Sequence, residues 1–320
     1  MARQLSLYTL FAFLLTLLVS GCNQAPSTPI KIGINAWPGY EFLYLAQEKG
    51  FYDELGVSVK IVEYGSLGDV RRGYERGNLD VMASTLIEVL QVKNNSNRKP
   101  MIFMVADFSD GGDVIVARNT IKSVPDLKGK RVGADTASLP IFMLARALDK
   151  HGLTLDDVEV VPLEQPEMEQ AYDTNKIDAA VSYAPVSSRL ASREDAGIIF
   201  TSKEIPGEVV DVVSVEETVL KERLEDVKKI TMAWDKALKY MQTNPDDAKK
   251  IMAKREGISV QEFSDVLGDL YIVPIDEQAK YFPLLKPSLK TVKDVLVRTG
   301  VLAKDTSADC CVAENMGYTN

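Results

Sequence analysis

Short apolar runs alternate with turn residues along the chain, and one arrangement of these runs occurs twice. The first copy has apolar runs at residues 30–34, 43–46 and 57–62. The second copy, about one hundred residues later, has runs at residues 131–134, 143–146 and 158–161. The middle runs stop at Gly50 and Gly152, which is typical of helices closed by glycine. Each copy therefore predicts a buried strand, a loop, a helix and another strand.

A third matched pair of segments extends the repeat. Residues 74–84 correspond to residues 172–182, and each predicts a helix end, a cap and an apolar strand that finishes on serine. Gly77 and Asn175 occupy the cap positions, where a left-handed backbone suits these residue types. Three matched elements in one order are poorly explained by chance, so the sequence predicts two similar α/β lobes in one chain.

Length and composition are consistent with two ordinary domains. The chain has 320 residues, 46% hydrophobic and 26% charged, which is enough for two buried cores. Its net charge of -9 and pI near 4.9, without a basic stripe, argue against nucleic acid as a partner. The three cysteines do not provide a disulfide framework. Residues 302–320 are polar and predict a loose tail, in which Cys310 and Cys311 have no clear role.

Residues 1–21 have the pattern of an export signal. Arg3 supplies the positive start, and the apolar run at 5–19 is too short for a typical membrane span. Residues 19–22 resemble a bacterial lipobox, in which the thiol of Cys22 receives a diacylglycerol. The alternatives are an uncleaved anchor or a plain signal peptide with an incidental cysteine. We expect a lipoprotein with a flexible tether at residues 22–29. Asn23 does not decide between the inner and the outer membrane, because it is not the aspartate associated with inner-membrane retention.

Candidate ligand-binding residues follow the first predicted strand. Open α/β sheets bind ligands beyond the carboxyl ends of their strands. Trp37 and Tyr40 lie there, beside a turn made by Pro38 and Gly39, and each offers a flat apolar face with one polar atom. Trp37 could instead plug the core of the lobe, but its place beside the turn favours a binding wall.

Two further loops of the first lobe reach the same rim. In the loop after the second strand, Asp69 is the expected helix cap, whereas Ser66 is suited either to capping or to ligand contact. Ser84 and Thr85 end the next strand and should lie on the same rim.

The crossing between the lobes is predicted at residues 107–113, which are acid-rich and contain paired glycines. Glycines there can take up the backbone rotation of a hinge. Asp107 and Phe108, at its start, are candidate cleft residues. The spacing of the acids does not fit a calcium-binding loop. The return crossing is predicted at residues 205–211.

In the second lobe, the loop that corresponds to the aromatic loop is small and hydroxylated. Thr136, Ala137 and Ser138 lead straight into a helix, whose free N–H groups favour an anion such as phosphate, sulfonate or carboxylate. An ordinary helix cap is the alternative. Tyr183 corresponds to Thr85 in the other repeat and should also face the cleft.

The residues needed for most enzyme chemistry are absent. The single histidine, His151, lies beside a helix-ending glycine, where a surface role is expected. Motifs for a serine nucleophile, a zinc protease, a phosphate loop or a redox pair do not occur. We therefore expect a protein that is not an enzyme and that has no cofactor and no metal.

Several motifs resemble one family of transport proteins. The resemblance is carried by residues 32–34, 43–52, 77–81, 124–133 and 176–179. These segments, including Gly77-Asn78-Leu79-Asp80-Val81, are similar to the nitrate/sulfonate/taurine and thiamine-precursor binding proteins of ABC importers. The resemblance covers roughly residues 30–299.

This resemblance implies an α/β, two-lobed periplasmic binding protein fold of type II. Each lobe has a mixed sheet flanked by helices, and a two-strand hinge lets the lobes close on a small ligand. With the crossings above, lobe one comprises residues 30–109 and 210–301, and lobe two comprises residues 110–209.

The implied function is that of a monomeric, lipid-anchored solute-binding protein in the periplasm or at the cell surface, which delivers its ligand to an ABC permease. The alternative is a periplasmic ligand-sensing subunit that signals to a membrane kinase or cyclase. The family's pyrimidine-synthesis enzymes are a third possibility, against which the export signal and the missing histidine- and cysteine-rich site argue.

The two cleft walls predict an organic ligand. Trp37, Tyr40 and Phe108 suit a flat or apolar body, and the helix start at residues 136–138 suits one anionic or carbonyl end without supplying a lysine or arginine. We therefore expect an anionic or heteroaromatic molecule. The competing expectation is an amine held by Trp37, Tyr40 and Asp107 through cation–π attraction.

Overall fold

The structure, a computed structural model, describes residues 28–314 and 316–318. The predicted export signal and Cys22 lie outside these residues. The strands are β1 (Ile30–Ile34), β2 (Val59–Glu63), β3 (Val81–Thr85), β4 (Pro100–Ser109), β5 (Asp113–Arg118), β6 (Arg131–Ala134), β7 (Glu159–Pro162), β8 (Ala179–Tyr183), β9 (Ala196–Thr201), β10 (Val210–Glu216) and β11 (Leu270–Ile272).

Helices alternate with the strands and continue beyond β10. They are α1 (Glu41–Glu48), α2 (Phe51–Glu54), α3 (Leu67–Glu75), α4 (Leu86–Asn95), α5 (Leu139–Lys150), α6 (Met168–Asp173), α7 (Val186–Ala191), α8 (Glu217–Glu222), α9 (Leu224–Thr243), α10 (Pro245–Glu256), α11 (Val260–Gly268), α12 (Gln278–Tyr281) and α13 (Leu285–Arg298). Short 3-10 helices occur at Val124–Leu127, Leu155–Asp157, Gln165–Glu167, Ser202–Glu204, Ile275–Glu277 and Phe282–Leu284.

The strands form two sheets whose orders match. The first sheet has six strands in the order β11-β4-β10-β3-β1-β2, and the second has five in the order β9-β5-β8-β6-β7. In each, three parallel strands are followed by an antiparallel strand, β10 or β5, and then by β4 or β9. We call the first sheet with its helices lobe one, and the second sheet with its helices lobe two. The predicted internal repeat is therefore confirmed.

Matching glycines and caps explain why the two copies fold alike. A Cβ atom on Gly33 would lie 2.3 Å from Cδ1 of Leu79, and one on Gly133 would lie 2.9 Å from Cδ1 of Ile177, so in each lobe only glycine admits that neighbour. Gly77 and Asn175 have φ angles of 77° and 56°, as predicted for left-handed caps.

The chain passes between the sheets twice. β4 ends at Ser109 and β5 begins at Asp113, whereas β9 ends at Thr201 and β10 begins at Val210. Because β4 and β10 are paired in lobe one, the two connections leave that lobe side by side. The lobe boundaries at residues 109/110 and 209/210 stay predictions.

Helices of the carboxyl-terminal part complete lobe one. Trp234 on α9 is fully buried, with its ring centroid 5.3 Å from that of Phe42 on α1, so the two helices share the core of lobe one. Leu270–Ile272 pairs with β4 as the edge strand of the first sheet. No helix of the described residues is long and apolar enough to cross a membrane.

The prediction of a loose tail is wrong for the described part of residues 302–320. Cys311, Ala313 and Met316 are buried against lobe one, and a bridge joins Val312 to Ile102 of β4. Cys310 and Cys311 form a disulfide with each other. Apolar side chains dispersed among polar ones are enough to dock the segment, and this pattern was too sparse to be noticed in the sequence.

Candidate functional site

A small cavity lies where the strand ends of the two lobes meet. Its lining residues are Asn35, Trp37, Leu67, Asp113, Leu139, Tyr183 and Asp211. Its volume is about 10 Å³, room for the centre of a single water-sized sphere. Because residues of both lobes line it, any larger occupant requires the lobes to move apart.

Two aspartates stand side by side at this edge of lobe one. Asp211 of β10 is paired with Asp107 of β4 on one side and with Thr85 of β3 on the other. Residues directly opposite in antiparallel strands point to the same face of the sheet. The strand register therefore brings two carboxyl groups together, although they are far apart in the sequence.

The aromatic loop after β1 donates to these carboxyl groups. The indole Nε1 of Trp37 lies 3.4 Å from both carboxyl oxygens of Asp107. The hydroxyl of Tyr40 donates to Oδ1 of Asp211. Trp37 and Tyr40 are therefore held by acids of their own lobe, and their polar atoms are already used.

Lobe two adds a third buried aspartate. Asp113, the first residue of β5, is paired with Tyr183 of β8, and its backbone N–H donates to the hydroxyl of Ser109 at 3.2 Å. The ring of Tyr183 meets that of Trp37 edge to face, with centroids 5.9 Å apart and planes at 86°. Both rings line the cavity.

Burial raises the pKa values of all three carboxyl groups. It raises the pKa of Asp107 to about 8, against the opposing effect of the Trp37 hydrogen bond. It raises the pKa of Asp113 to about 7, opposed by the bond to Ser109. The pKa of Asp211 is raised well above its usual value, first by burial and then by the charge of Asp107. Among the described residues, no lysine or arginine is among the groups that shift these pKa values.

Glu88 of α4 connects the two lobes. Its Oε2 accepts from the backbone N–H of Thr85 at 2.9 Å and from the Thr85 hydroxyl at 2.5 Å, forming a capping box. Its Oε1 accepts from the hydroxyl of Ser138 at 2.6 Å and from the N–H of Leu139 at 2.9 Å. The amino end of α5 in lobe two is thus held by a carboxylate of lobe one.

Other contacts across the cleft surround the cavity. The hydroxyl of Tyr183 accepts from the N–H of Leu67 at 3.2 Å. At the rim, Nη2 of Arg72 lies 2.7 Å from Oε1 of Glu164 and 2.7 Å from Oδ1 of Asp69. These contacts join α3 to the opposite lobe.

The predicted site residues divide into four groups: two line the cavity, five are buried around it, one caps a helix and three lie outside. Trp37 and Tyr183 line the cavity, and five more are buried around it: Tyr40, Ser84, Thr85, Asp107 and Ser138. The Oγ atom of Ser84 is buried without a hydrogen-bond partner among the described residues. Ser66 caps α3 by accepting from the N–H of Asp69 at 3.1 Å, so the predicted cap role of Asp69 is wrong. Asp69 pairs with Arg72 because its side chain points along the helix surface.

Phe108, Thr136 and Ala137 lie outside the cavity. The ring of Phe108 packs on Tyr281, with centroids 5.0 Å apart, in a separate groove, because neighbouring strand residues face opposite sides of the sheet and Asp107 faces the cleft. Thr136 and Ala137 are half-buried, and the N–H of Ala137 donates to Asp135 at 2.9 Å. Glu88 accepts from the N–H of Leu139 and Asp135 from the N–H of Ala137, and the anion site expected at this helix start stays a prediction.

Two acids that dominate the site, Asp211 and Glu88, were not predicted from the sequence. Asp211 interrupts the apolar run Val209-Val210-Asp211-Val212-Val213, and Glu88 interrupts Leu86-Ile87-Glu88-Val89-Leu90. An acid within an apolar run is the signal that could have found them, since a buried carboxyl needs a partner. Asn35, Leu67 and Leu139 carry no such signal.

Metal binding is not supported by the described residues. Within residues 28–314 and 316–318, no group of three or more histidine, cysteine, aspartate or glutamate side chains is arranged to hold a metal ion.

Comparisons with known proteins agree with this architecture. The sequence profile of a family described as NMT1/THI5 like matches residues 37–248. A putative binding protein of Brucella abortus (strain 2308) is 25% identical over 242 residues, 72% of either chain. The taurine-binding periplasmic protein of Escherichia coli (strain K12) is 25% identical over 244 residues, 72% of this chain and 74% of that protein.

A solved structure extends the comparison to nearly the whole chain. The alkanesulfonate-binding protein SsuA from Xanthomonas axonopodis pv. citri bound to MOPS is similar with a TM-score of 0.77 at 16% identity. The match covers 90% of this chain and 99% of that chain. The expected periplasmic binding protein fold is thereby confirmed.

Proposed function

The chain belongs to the NMT1/THI5-like family, and on this premise we propose that it is an exported solute-binding protein that captures a small organic molecule between its lobes and delivers it to an ABC permease. Membership confirms the resemblance expected from the motifs. The relatives described above are binding proteins, which confirms the expectation that the chain is not an enzyme.

The observation that carries the proposal is the cavity enclosed by both lobes. Aromatic rings from each lobe, Trp37 and Tyr183, meet across it, and hydrogen bonds accepted by Tyr183 and Glu88 join the lobes around it. A site built from two lobes is completed only when they close, so binding and closure are linked. The two adjacent connections at β4 and β10 supply the hinge of this proposal.

Closure is tested by small-angle scattering on the mature chain. Native mass spectrometry of freshly purified protein identifies any co-purified small molecule, which is then removed by unfolding, dialysis and refolding. Returning that molecule should decrease the radius of gyration and increase stimulation of the permease ATPase. Tyr183→Phe keeps the ring but removes the acceptor of the Leu67 N–H, and it should reduce the compaction. Binding without compaction in the unaltered protein would contradict the proposal.

Lipid anchoring through Cys22 is part of the proposal and rests on the lipobox-like segment at residues 19–22. The protein then acts as a tethered monomer in the periplasm or at the cell surface. Cys22→Ser should release it from the membrane fraction, whereas Cys310→Ser, which leaves the lipobox intact, should not. Unchanged membrane partitioning of Cys22→Ser would remove the anchor from the proposal.

A further inference from the structure

The cavity between the lobes has a donor and acceptor pattern that selects one chemical class of solute. We propose that the solute is a small organic cation with N–H donors, that is, an ammonium or a guanidinium group on a short carbon body. This inference rests on the proposed function and deepens it, because it names the class of molecule that the same site binds.

Three residues that line the cavity carry unpartnered acceptors. Among the described residues, Oδ2 of Asp113, Oδ2 of Asp211 and Oδ1 of Asn35 are buried without a hydrogen-bond partner. All three residues line the cavity, and their exposed fractions are only 3%, 2% and 1%. An unpaired buried acceptor is costly, so a site with three of them requires a group rich in donors.

Three donors of the site are already committed to protein acids. Nε1 of Trp37 points to Asp107, the hydroxyl of Tyr40 to Asp211, and the N–H of Leu139 to Glu88. An anion such as a sulfonate would therefore meet carboxyl groups and no free donor of these residues. At a pH above about 8, Asp107 and Asp113 are ionised, and their negative charges would oppose the binding of an anion.

The aromatic walls fit a cation as well. The rings of Trp37 and Tyr183 meet at 86° and both line the cavity, so a cation there contacts electron-rich ring surface. An ammonium group supplies three N–H donors and a guanidinium group supplies five, whereas a quaternary ammonium supplies none. The unpartnered oxygens therefore favour the protonated amine or guanidinium over the quaternary group.

The test is titration calorimetry at pH 8.5 on the refolded mature chain with probes of similar size and different charge. The probes are ethylammonium, ethylguanidinium, tetramethylammonium, propanamide and ethanesulfonate. Ethylammonium or ethylguanidinium should bind at least about 30-fold more tightly than the amide or the sulfonate, the factor expected for a buried charge pair. Tetramethylammonium should bind more weakly than the best N–H cation.

Substitutions assign the effect to the cavity. Asp211→Asn should weaken binding of the N–H cation at least about 30-fold, because the shape is kept but the amide cannot form the carboxylate that pairs with the cation. Glu256→Gln is the matched control: Glu256 is also a buried acid of lobe one with both carboxyl oxygens unpartnered among the described residues, but it does not line the cavity. Its variant should bind as tightly as the unaltered protein.

Three results would overturn the inference. They are preferential binding of ethanesulfonate or propanamide, no binding of either N–H cation at millimolar concentration, and equal losses in Asp211→Asn and Glu256→Gln. Compaction of the lobes on an anionic or neutral molecule would refute the cation while leaving the proposed function intact. Binding of the cation without compaction would refute the proposed closure of the lobes while leaving the cation inference intact.

Discussion

An aspartate holds the start of the first strand in both lobes. In lobe one, Asp80 accepts from the N–H of Lys31 at 2.9 Å, and in lobe two Asp178 accepts from the N–H of Arg131 at 3.0 Å. Gly33 of β1 and Gly133 of β6 also match, because each lies in close contact with the residue that precedes the aspartate, Leu79 or Ile177. The framework of the two lobes is therefore the same down to single hydrogen bonds.

The residues at the cavity do not match in this way. The loop after β1 carries Trp37 and Tyr40, whereas the loop after β6 turns directly into α5 and is capped by Glu88. Thr85 in one lobe corresponds to Tyr183 in the other. The comparison shows that residues repeated between the lobes serve folding, while the residues that differ form the cavity. Substitutions of the repeated residues and of the cavity residues should therefore have different effects.

The largest expected effect is an opposite response to pH of the cavity acids and of the framework aspartate Asp178. Because the folded-state pKa values of Asp107 and Asp113 are raised to about 8 and about 7, the folded protein holds protons that the unfolded chain has released. The free energy of unfolding should therefore fall as pH rises from about 4 to about 8, by about 1.4 kcal/mol per pH unit for each carboxyl still protonated.

Asp178 should behave oppositely, because the Arg131 hydrogen bond lowers its pKa. Its contribution is present above its usual pKa and is lost as the pH falls through the lowered value. Urea unfolding at a series of pH values measures both trends. Asp211→Asn should flatten the decline between pH 4 and 8, and Asp178→Asn should leave it unchanged. An unaltered protein whose stability does not decline in this window would contradict the raised pKa values.

Alanine at the matched glycines should destabilise both lobes, and lobe one more. The Cβ of Gly33→Ala would meet Leu79 at 2.3 Å, whereas that of Gly133→Ala would meet Ile177 at 2.9 Å. Overpacking of this kind costs about 1–3 kcal/mol of unfolding free energy. Gly268→Ala has no atom within 4 Å of its Cβ and serves as the control, which should be neutral or stabilising. Equal stability of all three variants in urea would show that the close contacts do not matter.

The smallest effect is expected at the aspartates that start the strands. Asp80→Ala removes one acceptor and should cost about 1 kcal/mol. Asp178→Ala also removes the paired bonds to Arg131 Nε at 3.0 Å and Nη2 at 2.7 Å, but these groups are partly exposed, so we expect only about 0.5 kcal/mol more. Thermal unfolding measures both. A larger loss for Asp80→Ala would mean that the two lobes are not equivalent there.

The framework could be predicted from the sequence because its signals are local. Apolar runs, glycine stops and the caps at Gly77 and Asn175 depend on residues close together in the chain. The cavity could be predicted only in part, because it depends on register between distant strands. The pairing of β4 with β10 decides that Asp107, and not Phe108, faces the cleft. The same pairing brings Asp107 next to Asp211. The three residues of β11 were too few for a periodic signal.

Glu88 has a consequence for how quickly a solute can be captured. Its bonds to Ser138 and Leu139 join the lobes through protein atoms alone, so part of the free energy of closure is independent of the solute. The apparent dissociation constant then equals the intrinsic one divided by the fraction of molecules that are open to entry. The association rate is limited in the same way by how often the lobes part. A single carboxylate thus sets a compromise between slow loading and long retention.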